Sequence, residues 1–272
     1  MNEKYPKISV VTPSFNSVET IEETILSVLK QDYQNIEYLV IDGGSNDGTV
    51  ELLEKYKKDI DYYVSEEDNG IYHAMNKGIA AATGDFIGII NADDCYLEGA
   101  IGKVAELIKS TQDIDAVYAN SRYIIPGRPP IIIKGRHPLK RSDFFNMPMA
   151  HTTVFIKKKY FDIHGNFDES FKASGDFELL FRFFDKGVNY TYLNEILTEI
   201  KFGGLTSTSS ITNHEDKMVL KKIGASSSML IKAKIFGLKR YLAVESQGNN
   251  FLRPLFKIYH FFKDSITSTR SV

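Results

Sequence analysis

Short apolar runs and longer amphipathic stretches alternate along the first two hundred residues of the chain. The apolar runs predict strands at 8–12, 36–41, 61–64, 86–90 and 116–119, and those at 8–12 and 86–90 are expected to be buried. The intervening stretches repeat apolar residues at helical spacing and predict helices at 17–31, 49–58, 71–82 and 97–108. Because strands and helices alternate, we expect right-handed crossovers and a largely parallel sheet with helices on both faces.

The alternation loosens in the second half of the chain. Segment 125–137 contains two adjacent prolines, two glycines and an isoleucine triplet, which predict a loop with a short strand. Residues 153–156 predict another strand, and residues 177–186 predict a helix. The segment 203–210, rich in glycine, serine and threonine, predicts a linker.

Length and composition indicate one large domain with an appendage. The 272 residues are 43% hydrophobic and 25% charged, which is usual for a globular chain and excludes wholesale disorder. We place an α/β domain at 1–205, with halves at about 1–112 and 113–205. A basic, mainly helical extension follows at 206–272.

The net charge of −2 conceals an uneven distribution. Between Lys217 and Lys263 there are ten basic residues and one acid, a local charge of +9 that leaves −11 on residues 1–216. An acidic body argues against binding to nucleic acid, and a basic extension indicates a different partner for that part of the chain.

Several classes of site and location are excluded by residue type. Cys95 is the only cysteine, so a disulfide framework is ruled out and a cysteine-based zinc site is disfavoured. The chain has no phosphate-loop, dinucleotide-binding or serine-hydrolase motif. No apolar run approaches the roughly 18 residues that a membrane span needs, and no signal-peptide core is present. We therefore expect a soluble protein in the cytoplasm.

Polar clusters follow three of the predicted strands directly, at 13–16, 42–49 and 91–94. Turn formation and helix capping would explain any one of them alone. Ligands of open α/β sheets, however, bind outside the carboxyl ends of the strands. Three such clusters therefore predict one binding site at one edge of the sheet.

Asp93 and Asp94 are adjacent carboxylates that repel each other unless a cation or hydrogen bonds hold them. Mg²⁺ and Mn²⁺ prefer oxygen ligands and often bind one or two carboxylates plus substrate phosphates. The pair therefore predicts a divalent metal site. The alternative is that Asp94 only caps a helix that begins near Leu97.

The motifs, taken in order, resemble the family 2 glycosyltransferases of the GT-A fold, especially bacterial polysaccharide and lipopolysaccharide enzymes, including those of colanic-acid type. The resemblance covers about 6–205 and rests on PSFN, DGGSNDGT, the segment 65–86 and NADD. It implies a Rossmann-like α/β fold with a mostly parallel mixed sheet. It also implies inverting transfer of a sugar from a nucleotide sugar, with UDP-sugars favoured. The implied acceptor is a hydroxyl of a saccharide or lipid-linked saccharide in surface polysaccharide synthesis.

The resemblance implies the roles of the residues on the donor side. Residues expected to contact the nucleotide sugar are Pro13, Phe15, Asn16, Asp42, Lys77 and Asp93. Gly43 stands where many members have a second acid, and Asn91 stands where the metal motif begins with an acid. The metal role, for Mg²⁺ or Mn²⁺, therefore falls on Asp94 and Asp93. Lys77 would neutralise phosphate, or is simply solvated.

On the acceptor side, the resemblance implies that Asp176 is the general base that deprotonates the acceptor hydroxyl. The alternative is a first-turn acid that only complements a helix dipole. Glu178 is the second-choice base. His151 is expected at the head of a strand, where it contacts the acceptor or the diphosphate, or serves as a hydrogen-bonded structural residue.

Two other functions remain open at this point: a nucleotidyltransferase on a similar fold, and a non-catalytic nucleotide- or sugar-binding partner in a membrane assembly. The basic stretch 217–263 also contains apolar residues in helix-compatible runs. We expect it to lie on an anionic membrane, which would place the enzyme on the inner face of the cytoplasmic membrane. The alternative is that it packs on the catalytic domain or on a second subunit, as in a homodimer.

Overall fold

The computed structural model describes residues 5–201 and 210–248. Its strands are β1 (Ile8–Ser14), β2 (Ile36–Asp42), β3 (Tyr62–Ser65), β4 (Phe86–Ile89), β5 (Cys95–Tyr96), β6 (Ala116–Ile124), β7 (Ile131–Ile133), β8 (Phe155–Lys157) and β9 (Tyr190–Lys201). Its helices are α1 (Ile21–Leu29), α2 (Thr49–Tyr56), α3 (Ile71–Ala81), α4 (Ala100–Ser110), α5 (Lys159–His164), α6 (Gly175–Asp185), α7 (Ser210–Lys222) and α8 (Ser227–Gly248). Short 3₁₀ turns occur at Arg141–Asp143 and His151–Thr153.

One mixed sheet contains all the strands of the described residues, in the order β3-β2-β1-β4-β8-β6-β9-β5, with β7 paired to β6. The pairs β3–β2, β2–β1, β1–β4 and β6–β9 are parallel, whereas β8 is antiparallel to both β4 and β6. The prediction of a mostly parallel mixed sheet with helices is therefore confirmed.

The core forms where the predicted apolar strands meet the helices. Ile8, Val10 and Val11 of β1 are fully buried, as are Ile21 and Ile25 of α1. Burying a side chain of this size contributes about 1.5–3 kcal/mol. This packing fixes the ends of the parallel strands, where the polar clusters lie.

The second half of the chain departs from the predicted pattern. The long strand β9 was not predicted, because its residues are mostly half-buried and mix polar with apolar side chains. The strand predicted at 153–156 begins only at Phe155, since the Thr153 hydroxyl donates to the Ala150 carbonyl at 2.8 Å and closes a 3₁₀ turn. His151 therefore lies in that turn and not at the head of a strand.

The chain divides into two compact units, Met1–Ile223 and Gly224–Val272. The observed division thus comes later than the predicted boundary at 205/206, because α7 packs within the first unit. The predicted linker at 203–210 falls almost entirely outside the described residues. Among the described helices, none is both long and apolar enough to cross a membrane.

Candidate active site

The carboxyl ends of β1, β2 and β4 lie side by side, because these strands are parallel neighbours in the sheet. The three polar clusters predicted from the sequence follow these ends directly. Two of their loops are locked together, since the Asn16 amide N–H donates to Ser45 Oγ at 2.8 Å and the Asn46 N–H donates to Asn16 Oδ1 at 3.0 Å. The predicted convergence of the clusters on one edge is therefore present.

The first loop exposes an aromatic ring. Pro13 is buried in β1 opposite Ile41, whereas the Phe15 side chain is 64% exposed. Asn16 adopts a positive φ of 46°, a conformation that asparagine tolerates better than most residues. This turn presents Phe15 to solvent at the sheet edge, where its ring offers a stacking surface.

Asp42 is fully buried, and its carboxylate organises the second loop. It accepts hydrogen bonds from the Gly44 N–H at 3.1 Å and from the Ser45 N–H at 2.9 Å. It also accepts from the hydroxyls of Ser45 at 2.5 Å and Ser65 at 2.7 Å. Four internal hydrogen bonds engage both oxygens, so Asp42 shapes the loop that was predicted to face the nucleotide.

A second acid reaches this loop from elsewhere in the chain. A Cβ built on Gly43 would lie 2.6 Å from Asp68 Oδ2, so the Asp68 carboxylate occupies the space beside residue 43. The Gly70 N–H holds this side chain by donating to Asp68 Oδ1 at 2.7 Å. Asp68 thus brings a carboxylate next to the position at which this chain has glycine.

The two cations near the start of α3 have different contacts. Lys77 forms an ion pair with Glu66 at 2.9 Å, so it is partly neutralised. Lys172, which the sequence analysis did not single out, donates from Nζ to the Asn69 carbonyl at 3.2 Å, close to the first turn of α3. A phosphate role for Lys77 stays a prediction.

The acidic pair lies in a turn fixed by hydrogen bonds. Asp94 is 2% exposed and accepts from Asn91 Nδ2 at 3.0 Å, while the Thr24 hydroxyl donates to the Asp94 carbonyl at 2.7 Å. Asp93 is half-buried. The alternative that Asp94 caps the next helix is wrong, because α4 begins at Ala100 after Gly99.

The electrostatics of the pair favour a bound cation. Burial, followed by the charge of Asp93, raises the pKa of Asp94 to about 7, and burial raises the pKa of Asp93. A divalent ion bound between oxygens would offset both effects. No group of three or more metal-binding side chains occurs among residues 5–201 and 210–248. Mg²⁺ that binds one or two carboxylates and substrate phosphates needs no third protein carboxylate.

A hydrogen-bonded chain joins the two acids that were predicted to act on opposite sides of the reaction. Asp176 Oδ2 lies 3.1 Å from His151 Nδ1, and His151 Nε2 lies 3.3 Å from Asn91 Oδ1. The Asn91 amide then reaches Asp94, as described above. Burial opposes a charged imidazole, but the hydrogen bond and charge of Asp176, together with the charges of Asp94 and Asp93, outweigh it and raise the pKa of His151. A protonated His151 can therefore donate to both Asp176 and Asn91.

Tyr72 of α3 holds the other side of Asp176, and the sequence alone did not predict this contact. Its hydroxyl accepts from the Gly175 N–H at 2.8 Å and lies 3.4 Å from Asp176 Oδ1. The ring is buried and stacks on Phe167 with centroids 5.3 Å apart. Burial and the charge of Asp176 raise the pKa of Tyr72, so the hydroxyl stays neutral and available as a donor.

Glu178 does not join this group of residues. It is 3% exposed and forms ion pairs with Arg182 at 3.0 Å and with Lys222 at 2.9 Å. Because it lies two residues after Asp176 on a helix, its side chain projects from another face. Both oxygens are occupied by cations, so the geometry favours Asp176 as the base.

Glu215 of α7 is a second residue that the sequence analysis missed. Its buried carboxylate accepts from the backbone N–H groups of Lys172, Ala173 and Ser174 at 2.7, 2.7 and 2.9 Å. These amides form the turn that leads into α6 and Asp176. Glu215 lies within α7, and the sequence gives no signal of this role because the contact with Lys172 spans more than forty positions.

We expect Glu215→Gln to lower the free energy of unfolding by about 2 kcal/mol, because a neutral amide accepts these hydrogen bonds less strongly than a carboxylate. Glu54→Gln is the control, since Glu54 is exposed and forms a surface ion pair with Lys57. Urea titrations of the two variants check this prediction. Equal midpoints for both variants would show that Glu215 does not hold the turn.

Comparison with known proteins identifies the family. A sequence profile described as glycosyl transferase family 2 matches residues 9–167, more than half of the chain. The chain belongs to this family. Family membership makes the protein a transferase and disfavours the alternative of a nucleotidyltransferase. An uncharacterised glycosyltransferase of Rickettsia prowazekii is 26% identical over 263 residues, covering 91% of this chain and 82% of the relative. A Mycobacterium bovis glycosyltransferase of PGL/p-HBAD biosynthesis is 25% identical, covering 89% of this chain and 94% of the relative.

Solved structures confirm the GT-A fold of this family 2 glycosyltransferase. Staphylococcus aureus TarS 1–349, in complex with UDP-GlcNAc, aligns with a TM-score of 0.66 at 18% identity, covering 87% of this chain and 73% of TarS 1–349. A mannosyltransferase of Pyrobaculum calidifontis, in complex with GDP-Man and Mn²⁺, aligns with a TM-score of 0.60 at 17% identity, covering 93% of this chain and 84% of the other.

Proposed function

We propose that this glycosyltransferase moves a sugar from a nucleotide sugar, with UDP-sugars favoured, to a hydroxyl of a saccharide or lipid-linked saccharide, with inversion at the anomeric carbon. Its context would be surface polysaccharide synthesis. The proposal rests on the series of hydrogen bonds that runs from Asp94 through Asn91 and His151 to Asp176. It joins a buried acid suited to a cation with an acid suited to a base. The ligands of the two solved neighbours, UDP-GlcNAc and GDP-Man with Mn²⁺, support a nucleotide-sugar donor.

The donor would bind across the carboxyl ends of β1, β2 and β4. The exposed ring of Phe15 stacks on the base, and the loop shaped by Asp42 contacts the ribose. Asp68, beside Gly43, supplies the carboxylate that residue 43 lacks. The diphosphate lies near the first turn of α3, where free backbone N–H groups favour anions.

Asp94 and Asp93 would hold Mg²⁺ or Mn²⁺ through carboxylate oxygens, because adjacent acids with raised pKa values fit a hard divalent ion. When bound, such an ion offsets the negative charge that develops on the leaving nucleoside diphosphate. Asn91 and Thr24 keep the turn of the acidic pair in place.

Asp176 would take the proton of the acceptor hydroxyl as the oxygen attacks the anomeric carbon from the face opposite the leaving group. His151 and Tyr72 hold its two oxygens, so the carboxylate is oriented before the acceptor arrives. Through its contact with Asn91, His151 also connects Asp176 to the acidic pair.

A thermal-shift screen against UDP-, GDP- and dTDP-sugars, with and without Mn²⁺, tests the donor assignment. One nucleotide class should raise the melting temperature, and Mn²⁺ should strengthen the effect. The anomeric configuration of the product, measured by NMR with that donor, tests inversion. A product with the donor's own configuration would contradict the proposed mechanism.

The extension would bring the enzyme to an anionic membrane. On α8, four large apolar side chains are 40–58% exposed, and Lys232 and Lys234 lie between them. The exposed apolar residues are Leu230, Ile231, Ile235 and Phe236. An apolar stripe with neighbouring cations is typical of helices that lie in the membrane interface.

We expect Ile231→Asp with Ile235→Asp to reduce co-sedimentation with phosphatidylglycerol vesicles by about tenfold or more, because two buried aliphatic side chains are lost. Ile163→Asp, at an exposed position of α5, is the control. A truncation for this test would begin at Gly224, since removal from within Ser210–Lys222 would delete or shorten the helix that carries Glu215. The contrary result would be an intact chain that does not bind vesicles and sediments as a dimer. If Ile231→Asp with Ile235→Asp dissociates that dimer, a second subunit covers α8 instead of a membrane.

A further inference from the structure

A hairpin in the second half of the α/β domain carries another surface of exposed apolar side chains and cations, within the first compact unit. The hairpin comprises the end of β6, the turn that follows and β7, residues 121–134. It lies within an acid-free stretch, since no Asp or Glu occurs between residues 116 and 142, whereas six Lys or Arg do.

The second strand of this hairpin, β7, is exposed and apolar. Ile131, Ile132 and Ile133 are 45%, 52% and 44% exposed. Successive side chains of a strand point to opposite faces, so three exposed neighbours mean that both faces of β7 are in solvent. Every residue from 126 to 134 is exposed. Leaving a continuous apolar triplet in water is unfavourable unless another phase or partner covers it.

Cations flank the triplet. Arg128 precedes it and Lys134 follows it, both are exposed, and neither has an ion pair within the described residues. Arg122, at the base of the hairpin, is held by Glu199 at 2.7 Å. The exposed end therefore presents apolar side chains between unpaired positive charges.

The hairpin projects from the sheet edge that carries the acidic pair. Strand β6 runs in the same direction as β4, because both are antiparallel to β8. At the base of the hairpin, Arg122 lies opposite Glu199 of β9, and Glu199 lies opposite Cys95 of β5. Cys95 directly follows Asp94, so the hairpin begins two strands away from the proposed metal site.

We propose that this hairpin inserts Ile131–Ile133 into the interface of an anionic bilayer, with Arg128 and Lys134 on the headgroups. The observations favour a lipid surface over a second copy of the chain. Pro129 and Pro130 precede the edge strand and interrupt strand-to-strand pairing, and equal positive charges on two copies would repel. Cations beside exposed aliphatic side chains match an anionic interface. The catalytic edge would then face the membrane, where a lipid-linked acceptor has its sugar.

The absence of tryptophan from the chain gives a direct test, because one introduced tryptophan is the only indole signal. Ile132→Trp in the full chain should show a blue-shifted emission, quenched by brominated lipid, when vesicles of phosphatidylcholine with phosphatidylglycerol are added. Ile163→Trp is the matched control. Ile163 lies on α5, which directly follows β8. The last residue of β8, Lys157, pairs with Phe86 at the start of β4, so α5 begins at the sheet edge opposite the acidic pair. The emission of Ile163→Trp should not change.

Three results would overturn the proposal: no shift at Ile132→Trp, equal shifts and quenching at both positions, or a shift that grows with protein concentration without lipid. The last result would assign the triplet to a second copy of the chain.

Charge reversal gives a second readout that is independent of glycosyl transfer. Arg128→Glu with Lys134→Glu should weaken binding to the anionic vesicles by at least about tenfold, while hydrolysis of the donor in solution is unchanged. Lys55→Glu with Lys58→Glu, at exposed positions in α2 and just after it, should change vesicle binding much less. Equal losses in both pairs would show that only net charge acts. If the wild type hydrolyses no donor, the proposed function is refuted, whereas the result on vesicle binding by the hairpin still stands.

Discussion

Asp176→Asn is expected to lower the rate of transfer by about 10²–10⁴, the usual contribution of a general base, while the nucleotide binds as before. The amide keeps the shape and can still contact Tyr72 and His151, but it cannot take a proton. Calorimetry with the nucleotide and a transfer assay on the same preparation separate binding from chemistry. Asp185→Asn at the other end of α6 is the matched control, because that carboxylate is exposed and pairs with Arg141.

Transfer that persists within about tenfold would remove Asp176 from the role of base. Loss of activity in Glu178→Gln would not by itself identify Glu178 as the base. Glu178 is buried between Arg182 and Lys222, so its substitution also weakens the fold. A melting curve must therefore accompany any activity measured for that variant.

Asp94→Asn is expected to reduce turnover by several orders of magnitude, because the charge on the leaving nucleoside diphosphate is no longer offset. Titration of Mn²⁺ into the protein in the presence of nucleoside diphosphate should show weakened metal binding in this variant. Asp113→Asn is the control, since Asp113 is exposed and asparagine also tolerates its φ of 58°.

Removal of the metal provides the complementary experiment. Excess EDTA should abolish transfer by the wild type, and added Mn²⁺ or Mg²⁺ should restore it. Full activity in EDTA would mean that Asp93 and Asp94 serve another purpose, and that positive side chains such as Lys77 or Lys172 stabilise the leaving group.

The first half of the fold was predictable because each of its central strands is a mainly apolar run buried on both faces. Strand β1 is buried along its whole length, and β2 is buried except at its first residue. Strand β9 gave no such signal, since it lies half-buried near the margin of the sheet and carries polar residues. Strand β5 has two residues, too few for any periodicity.

The acidic residues of the site were predictable from their motifs, but their supports were not. Tyr72 meets Asp176 across 104 positions, and Glu215 meets Ala173 across 42. A tyrosine or glutamate on a helix has many ordinary roles, so only the folded contacts assign these. For Asp42, the sequence predicted a ligand contact from its position at a strand end. The structure adds a role in shaping the loop, because its carboxylate accepts four internal hydrogen bonds.

The most direct test of the account is the release of nucleoside diphosphate from a panel of UDP-, GDP- and dTDP-sugars by the wild type, Asp94→Asn and Asp176→Asn. The joined arrangement of Asp94 and Asp176 predicts metal-dependent release from one class of donor by the wild type and a loss in both variants. Release at the wild-type rate by either variant would show that the two acids do not form one catalytic site.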